Sequence, residues 1–105
     1  MSGLPEFNYP VFNECAARLR SMGLAVENPA ENFKDTDPEV LAKMQYRDFM
    51  AKAIVQMLGC DSIVLLPGWS KSPGARTEMG LAFSCGHRIY YYRKDLKRNP
   101  LLEIQ

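Results

Sequence analysis

Two carboxylates and one loop are the places where this chain's residue types could do chemistry. Glu78 stands in Arg76-Thr77-Glu78, just behind the loop Pro67-Gly68-Trp69-Ser70-Lys71-Ser72-Pro73-Gly74, and Asp48 stands in Tyr46-Arg47-Asp48. A carboxylate facing a pocket can attack a sugar carbon or stabilise an oxocarbenium ion. A second carboxylate can pass a proton to a leaving base. The loop carries glycines, two hydroxyls and a lysine, and it feeds a helix N-terminus. Free backbone N–H groups and the positive helix end there favour an anion such as a phosphate. Each group also has an ordinary structural use. Ser72 before Pro73 is a helix start, with an N-cap and a first helical position. Glu78 complements the helix dipole, and Asp48 can pair with Lys52 one turn on. The loop is not a Walker loop, because it lacks the Gly-Lys-Ser/Thr ending.

Other chemistry-bearing residues read more plainly. Trp69 can stack a base or cover a sheet edge. Asp61 opens an apolar run and reads as a cap or an ion-pair partner. His87, the only histidine, reads as exposed in a turn and leaves no Ser-His or Cys-His pair in view. Cys15, Cys60 and Cys85 are widely spaced and odd in number. They predict neither a disulfide framework nor a zinc cluster, and read as small core residues in a reducing compartment.

The elements that must position these groups follow from periodicity and from the breakers. Residues 1–10 read as a loop, with Gly3, Pro5, Asn8 and Pro10 breaking any period. Phe12, Cys15, Ala16, Leu19 and Met22 mark one face of a helix over residues 11–22, stopped by Gly23. Residues 24–26 read as a brief strand ended by Asn28-Pro29. Asp37-Pro38 starts a long amphipathic helix that runs to Leu58, with Gly59 as its stop. Residues 62–66 are apolar without alternation, which suits a strand covered on both faces. Residues 75–84 predict a helix, 88–92 a last strand, and 95–105 a polar tail or short helix. Helix and strand therefore alternate, which argues for an α/β layered domain with a mainly parallel sheet. In such sheets ligands bind at the carboxyl ends of strands. Asn28-Pro29 and the loop 67–74 both fall there.

Composition bounds the reading. The 105 residues fit a single domain over 1–105, with 47% hydrophobic and 24% charged residues, which argues against disorder. A net charge of +1 gives no broad field for a nucleic acid polymer. No apolar run reaches the roughly 18 residues a membrane span needs, and no export signal opens the chain. The expected setting is cytoplasmic.

Cys60-Asp61-Ser62-Ile63-Val64-Leu65-Leu66-Pro67-Gly68-Trp69, followed by Ser72-Pro73-Gly74-Ala75-Arg76-Thr77-Glu78-Met79-Gly80-Leu81-Ala82, resembles the hallmark of the nucleoside 2-deoxyribosyltransferase-like superfamily. Leu4-Pro5-Glu6-Phe7-Asn8-Tyr9-Pro10-Val11-Phe12-Asn13 is similar to an uncharacterised branch of it, of the domain-of-unknown-function 4406 type, in which a Gly-Pro-Met-Ser-Gly loop precedes this stretch. The resemblance implies a flavodoxin-like or Rossmann-like three-layer domain with helices on both sides of a parallel sheet. Members begin with a strand ending in the Gly-Pro part of that loop. This chain starts at Met1-Ser2-Gly3, so the expectation is that fold with the N-terminal strand missing.

The resemblance also implies an activity. Members cleave the N-glycosidic bond of nucleosides or nucleoside 5′-monophosphates, by hydrolysis or glycosyl transfer. Glu78 matches the nucleophile that forms a glycosyl-enzyme ester, and Asp48 matches the residue that binds the sugar or protonates the base. Transferases on nucleosides tend to carry an aspartate six positions before the glutamate, and nucleotide hydrolases a serine. Ser72 therefore points to a nucleotide. Ser2, Gly3, Gly68, Trp69, Ser72, Gly74 and Arg76 are the implied substrate contacts. No cofactor or metal is implied, and a homodimer is. The alternative is a non-catalytic nucleotide- or protein-binding module on the same scaffold.

Overall fold

The computed structural model describes residues 9–104 of the chain. Four helices surround a small mixed sheet: α1 (Tyr9–Ser21), α2 (Pro38–Lys43), α3 (Tyr46–Leu58), β1 (Ser62–Leu65), α4 (Pro73–Ser84), β2 (Arg88–Tyr92) and β3 (Leu101–Glu103). The strand order is β1-β2-β3. β1 and β2 are parallel, with Ile63 opposite Ile89 and Leu65 opposite Tyr91. β2 and β3 are antiparallel, with Tyr92 opposite Leu101. The α/β alternation expected for residues 62–92 is present as a β1–α4–β2 unit. The sheet as a whole is mixed rather than mainly parallel.

Helix α1 begins at Tyr9, inside the stretch expected to be loop, and its stop is legible. Gly23 sits at φ 87°, a left-handed conformation that costs glycine little. Gly23 N donates to Arg20 O, and Leu24 N donates to Leu19 O. Together these bonds close the Schellman motif. They also explain why residues 24–26 form no strand. Leu24 turns its N–H back onto α1, and Arg20 Nη2 donates to Val26 O at 2.8 Å. That segment's polar backbone is spent locally rather than in a ladder.

The long helix expected from Pro38 to Leu58 is two helices. Met44 and Gln45 are extended, with ψ 142° and 165°. Met44 N still bonds Leu41 O, and α3 starts afresh with Asp48 Oδ2 accepting from Gln45 N at 2.8 Å. The tail is neither polar coil nor helix. Its β3 zips onto β2, helped by Arg93 N to Pro100 O at 2.6 Å and Ile104 N to Ile89 O at 2.8 Å.

The core has two sides, set by strand alternation. Cys15, Leu19 and Tyr92 form a buried cluster with Val26, Val64, Leu66 and Leu101 packed around it, so α1 covers one face of the sheet. Leu65, Ile89 and Ala82 are buried on the other side, where α4 packs against β1 and β2. Arg18 fastens α1 to the loop before β3, donating to the carbonyls of Lys94 at 2.9 Å, Lys97 at 3.2 Å and Leu96. His87 is half-buried, not exposed. Its Nε2 lies 3.0 Å from Met57 O and ties the α4–β2 turn to the end of α3. Cys85 is exposed, contrary to the core reading, whereas Cys15 is buried and Cys60 half-buried. Among the described residues no helix is long and apolar enough to cross a membrane.

Candidate functional site

Helix α4 starts as its sequence dictates. Gly68 at φ 84° opens a short 3-10 turn over Trp69–Lys71. Pro73 takes the first helical position, and Ser72 Oγ accepts from Ala75 N at 3.2 Å. The expected start at Ala75 is thus two residues late, and the ordinary N-cap reading of Ser72 holds. From that cap, Ala75 and Glu78 follow three and six residues on and, being three apart, lie on one side of the helix. That face looks into a cavity of about 590 Å³, within the usual range for a small-molecule site.

The cavity lies along β1. Its walls come from α1, from residues 24–29, from α3, from β1 itself and from the loop and first turns of α4. Among the described residues β1 pairs only with β2, so its other edge faces this space. Both segments expected at strand ends, Asn28-Pro29 and the loop 67–74, line it, although the strand expected before Asn28 is absent.

Glu78 is half-buried in the cavity wall. Burial is the largest influence on its carboxyl and pushes it above the usual carboxylate range. The Tyr46 hydroxyl, at the start of α3, is pushed up by partial burial and then by the charge of Glu78. Cys15 also lines the cavity, and burial, then the charge of Glu14, push its thiol up to about 11. It is therefore a protonated, inert thiol at neutral pH.

The structure gathers some of the expected residues and leaves others apart. Glu78, Ser72, Gly68 and Trp69 share the cavity lining. Gly74 is buried within the first turn of α4, and Arg76 is exposed; neither belongs to that lining. Asp48 is exposed, its carboxylate engaged at the start of α3, and it too lies outside the lining. The α3 residues that reach the cavity are Ala53, Gln56 and Met57, none of them acidic. Ser2 and Gly3 lie outside the described residues. The sequence reading counted the lysine of the loop, Lys71, toward anion binding without naming it a substrate contact, passed over Glu27 and Gln56, and gave Asp61 a structural part; all four line the cavity. Lys71 was legible, since it sits inside the expected loop. Glu27 and Gln56 were not, because nothing local marks a contact that only α1 and α3 packing creates. Among the described residues no group of three or more His, Cys, Asp or Glu side chains is gathered for a metal ion.

No curated protein and no solved structure matches the chain. The family model of the domain of unknown function DUF4406 matches residues 1–91. That match spans most of the 105 residues, and the chain belongs to the DUF4406 family.

Proposed function

We propose that the chain binds a nucleoside 5′-monophosphate in this cavity and cleaves its N-glycosidic bond, with Glu78 as nucleophile. The observation that carries the reading is the start of α4, where a half-buried carboxylate and the N-cap Ser72 line one nucleotide-sized space. The phosphate belongs at Ser72 and Lys71, near the positive end of α4. The sugar then lies against Glu78. A carboxylate oxygen bonds C1′ as the C1′–N bond breaks, and the electron pair leaves on the base nitrogen, which takes a proton from water at the cavity mouth. Water attack on C1′ releases the sugar phosphate and regenerates Glu78. Because Glu78 attacks in its ionised form and burial raises its pKa, the rate climbs as pH rises through that pKa.

The proposal extends to kinship with the nucleoside 2-deoxyribosyltransferase-like superfamily and to a flavodoxin-like sheet one strand short. The parallel β1–α4–β2 unit, and an edge of β1 that no other described residue pairs with, support that part. A cytoplasmic homodimer completes it. The test is release of free base from deoxynucleoside 5′-monophosphates, followed chromatographically. Wild type turns over, and Glu78→Gln loses at least about 10³-fold, the scale set by losing a nucleophile. Equal inertness of both proteins refutes the catalytic reading.

The position of Asp48 favours a second reading, a nucleotide-binding module without turnover, since the second carboxylate stands outside the cavity lining. Saturable nucleotide binding by a protein that releases no base is its signature.

A further inference from the structure

The cavity has two chemically different ends. Past the C-terminal end of β1 the side chains are donors: the Lys71 ammonium, the Ser72 hydroxyl and the Trp69 indole N–H. Asp61 stands directly before β1, and Gln56, whose backbone O accepts from the neighbouring Cys60 thiol, brings Glu27 to the same end of the lining. There the side-chain donors of the described residues bond within the protein. Gln56 Nε2 donates to Asn32 Oδ1 at 2.9 Å and to Glu27 Oε1 at 3.3 Å. Asn28 Nδ2 donates to Asn13 Oδ1 at 2.9 Å, and Ser62 Oγ to Asp61 Oδ1 at 3.0 Å. Even the Cys60 thiol is turned onto Gln56 O at 3.4 Å. A carboxylate offers about four acceptor positions, so Glu27 and Asp61 keep accepting capacity after these bonds. The field there is negative: burial first, then the charges of Glu27 and Asp61, push the Cys60 thiol up. Apart from Glu78, the walls between the two ends are largely apolar, from Leu19, Met57 and Leu65 among others.

The two ends are separated by the length of β1, four residues, or roughly 13 Å at the usual strand rise. A nucleoside monophosphate laid along β1 with its phosphate at the donor end brings the far edge of its base to the acceptor end. An exocyclic amino group there donates to a carboxylate. An oxo group at the same place sets lone pair against lone pair and leaves both unsatisfied.

Resting on the nucleotide reading of this cavity, we infer that its base end, Glu27 with Asp61, selects bases that carry an exocyclic amino group, adenine and cytosine, over their oxo counterparts, hypoxanthine and uracil. A site that hydrogen-bonds a substrate group discriminates steeply against the analogue lacking it when the site is buried. Glu27 and Asp61 are exposed, so water softens the contrast and the expected preference is about 10-fold.

The experiment is calorimetric titration of the full chain with dAMP, dIMP, dCMP and dUMP, with base release measured on the same four. Tighter binding of dAMP than dIMP, and of dCMP than dUMP, is the expected result. Equal binding, or preference for the oxo nucleotides, overturns the inference and leaves the nucleotide site standing. Failure of all four to bind removes the nucleotide site itself, and the inference with it. The double variant Glu27→Gln with Asp61→Asn substitutes amide donors for the carboxylates, and its amino-to-oxo ratio drops to one or inverts. An unchanged ratio in a variant with wild-type circular dichroism overturns the assignment of these two residues.

Discussion

Ser72 has two duties that two substitutions separate. The residue is 8% exposed, its Oγ accepts from Ala75 N at 3.2 Å, and it also lines the cavity. Removing an N-cap hydroxyl costs about 1 kcal/mol. For a domain of this size each kcal/mol moves the melting temperature by about 4–8 °C. Ser72→Ala should therefore melt roughly 4–8 °C below wild type in far-ultraviolet circular dichroism. Ser72→Asp keeps a capping acceptor and adds a charge that the helix start favours, so it should melt close to wild type. The same carboxylate repels a phosphate at the head of α4. Binding of dAMP by Ser72→Asp should fall at least about 10-fold, while binding of the uncharged deoxyadenosine holds, a difference set by like-charge repulsion in a partly enclosed site. If Ser72→Ala melts with wild type, the cap is idle. If Ser72→Asp still binds dAMP as tightly as wild type, the phosphate is not at α4 and the placement of the nucleotide is wrong.

Two further outcomes follow from buried polar groups. Burial holds the folded Glu78 carboxyl above its ordinary pKa of 4.5, so its contribution to stability is complete below that pH and is lost as pH rises through the folded value. Glu78→Gln should thus melt higher than wild type at neutral pH, with the gap closing toward pH 4; a variant that melts lower at pH 7 contradicts the burial argument. Tyr92 is 1% exposed and its hydroxyl has no hydrogen-bond partner among the described residues. Tyr92→Phe should be neutral within about 0.5 kcal/mol or stabilising in urea unfolding, since no bond is lost; a loss above about 1 kcal/mol would mean the hydroxyl is bonded.

How much could be read without coordinates depended on where the deciding signal lay. The head of α4 was legible because Ser72-Pro73 states a cap and a first turn in adjacent residues. The end of α1 was legible because only Gly23 takes its φ of 87° cheaply. β1 and β2 were legible as apolar runs between turns. The break at Met44-Gln45 carries no proline or glycine, and both residues are good helix formers. Its one local sign is Gln45 with Asp48 three residues on, a pairing that starts a new helix. That pairing also takes Asp48 out of the candidate chemistry. β3 is only three residues long behind Pro100, and it exists because β2 offers an edge. The loop half of the cavity could be named from sequence. Its other half, Glu27, Gln56 and the apolar faces of α1 and α3, arises from packing between elements far apart in the chain.

The separation of α2 from α3 has a kinetic consequence. α2 has six residues, none buried, with Val40 55% exposed and two extended residues severing it from its neighbour. Among the described residues no buried side chain of α2 couples its opening to the sheet, so it sits at the low end of the molecule's ladder of local unfolding free energies. Its amide protons will trade for deuterium well before those of β2. A protease that needs a melted stretch will nick the chain between Pro38 and Lys43 while the β1–α4–β2 unit is still intact.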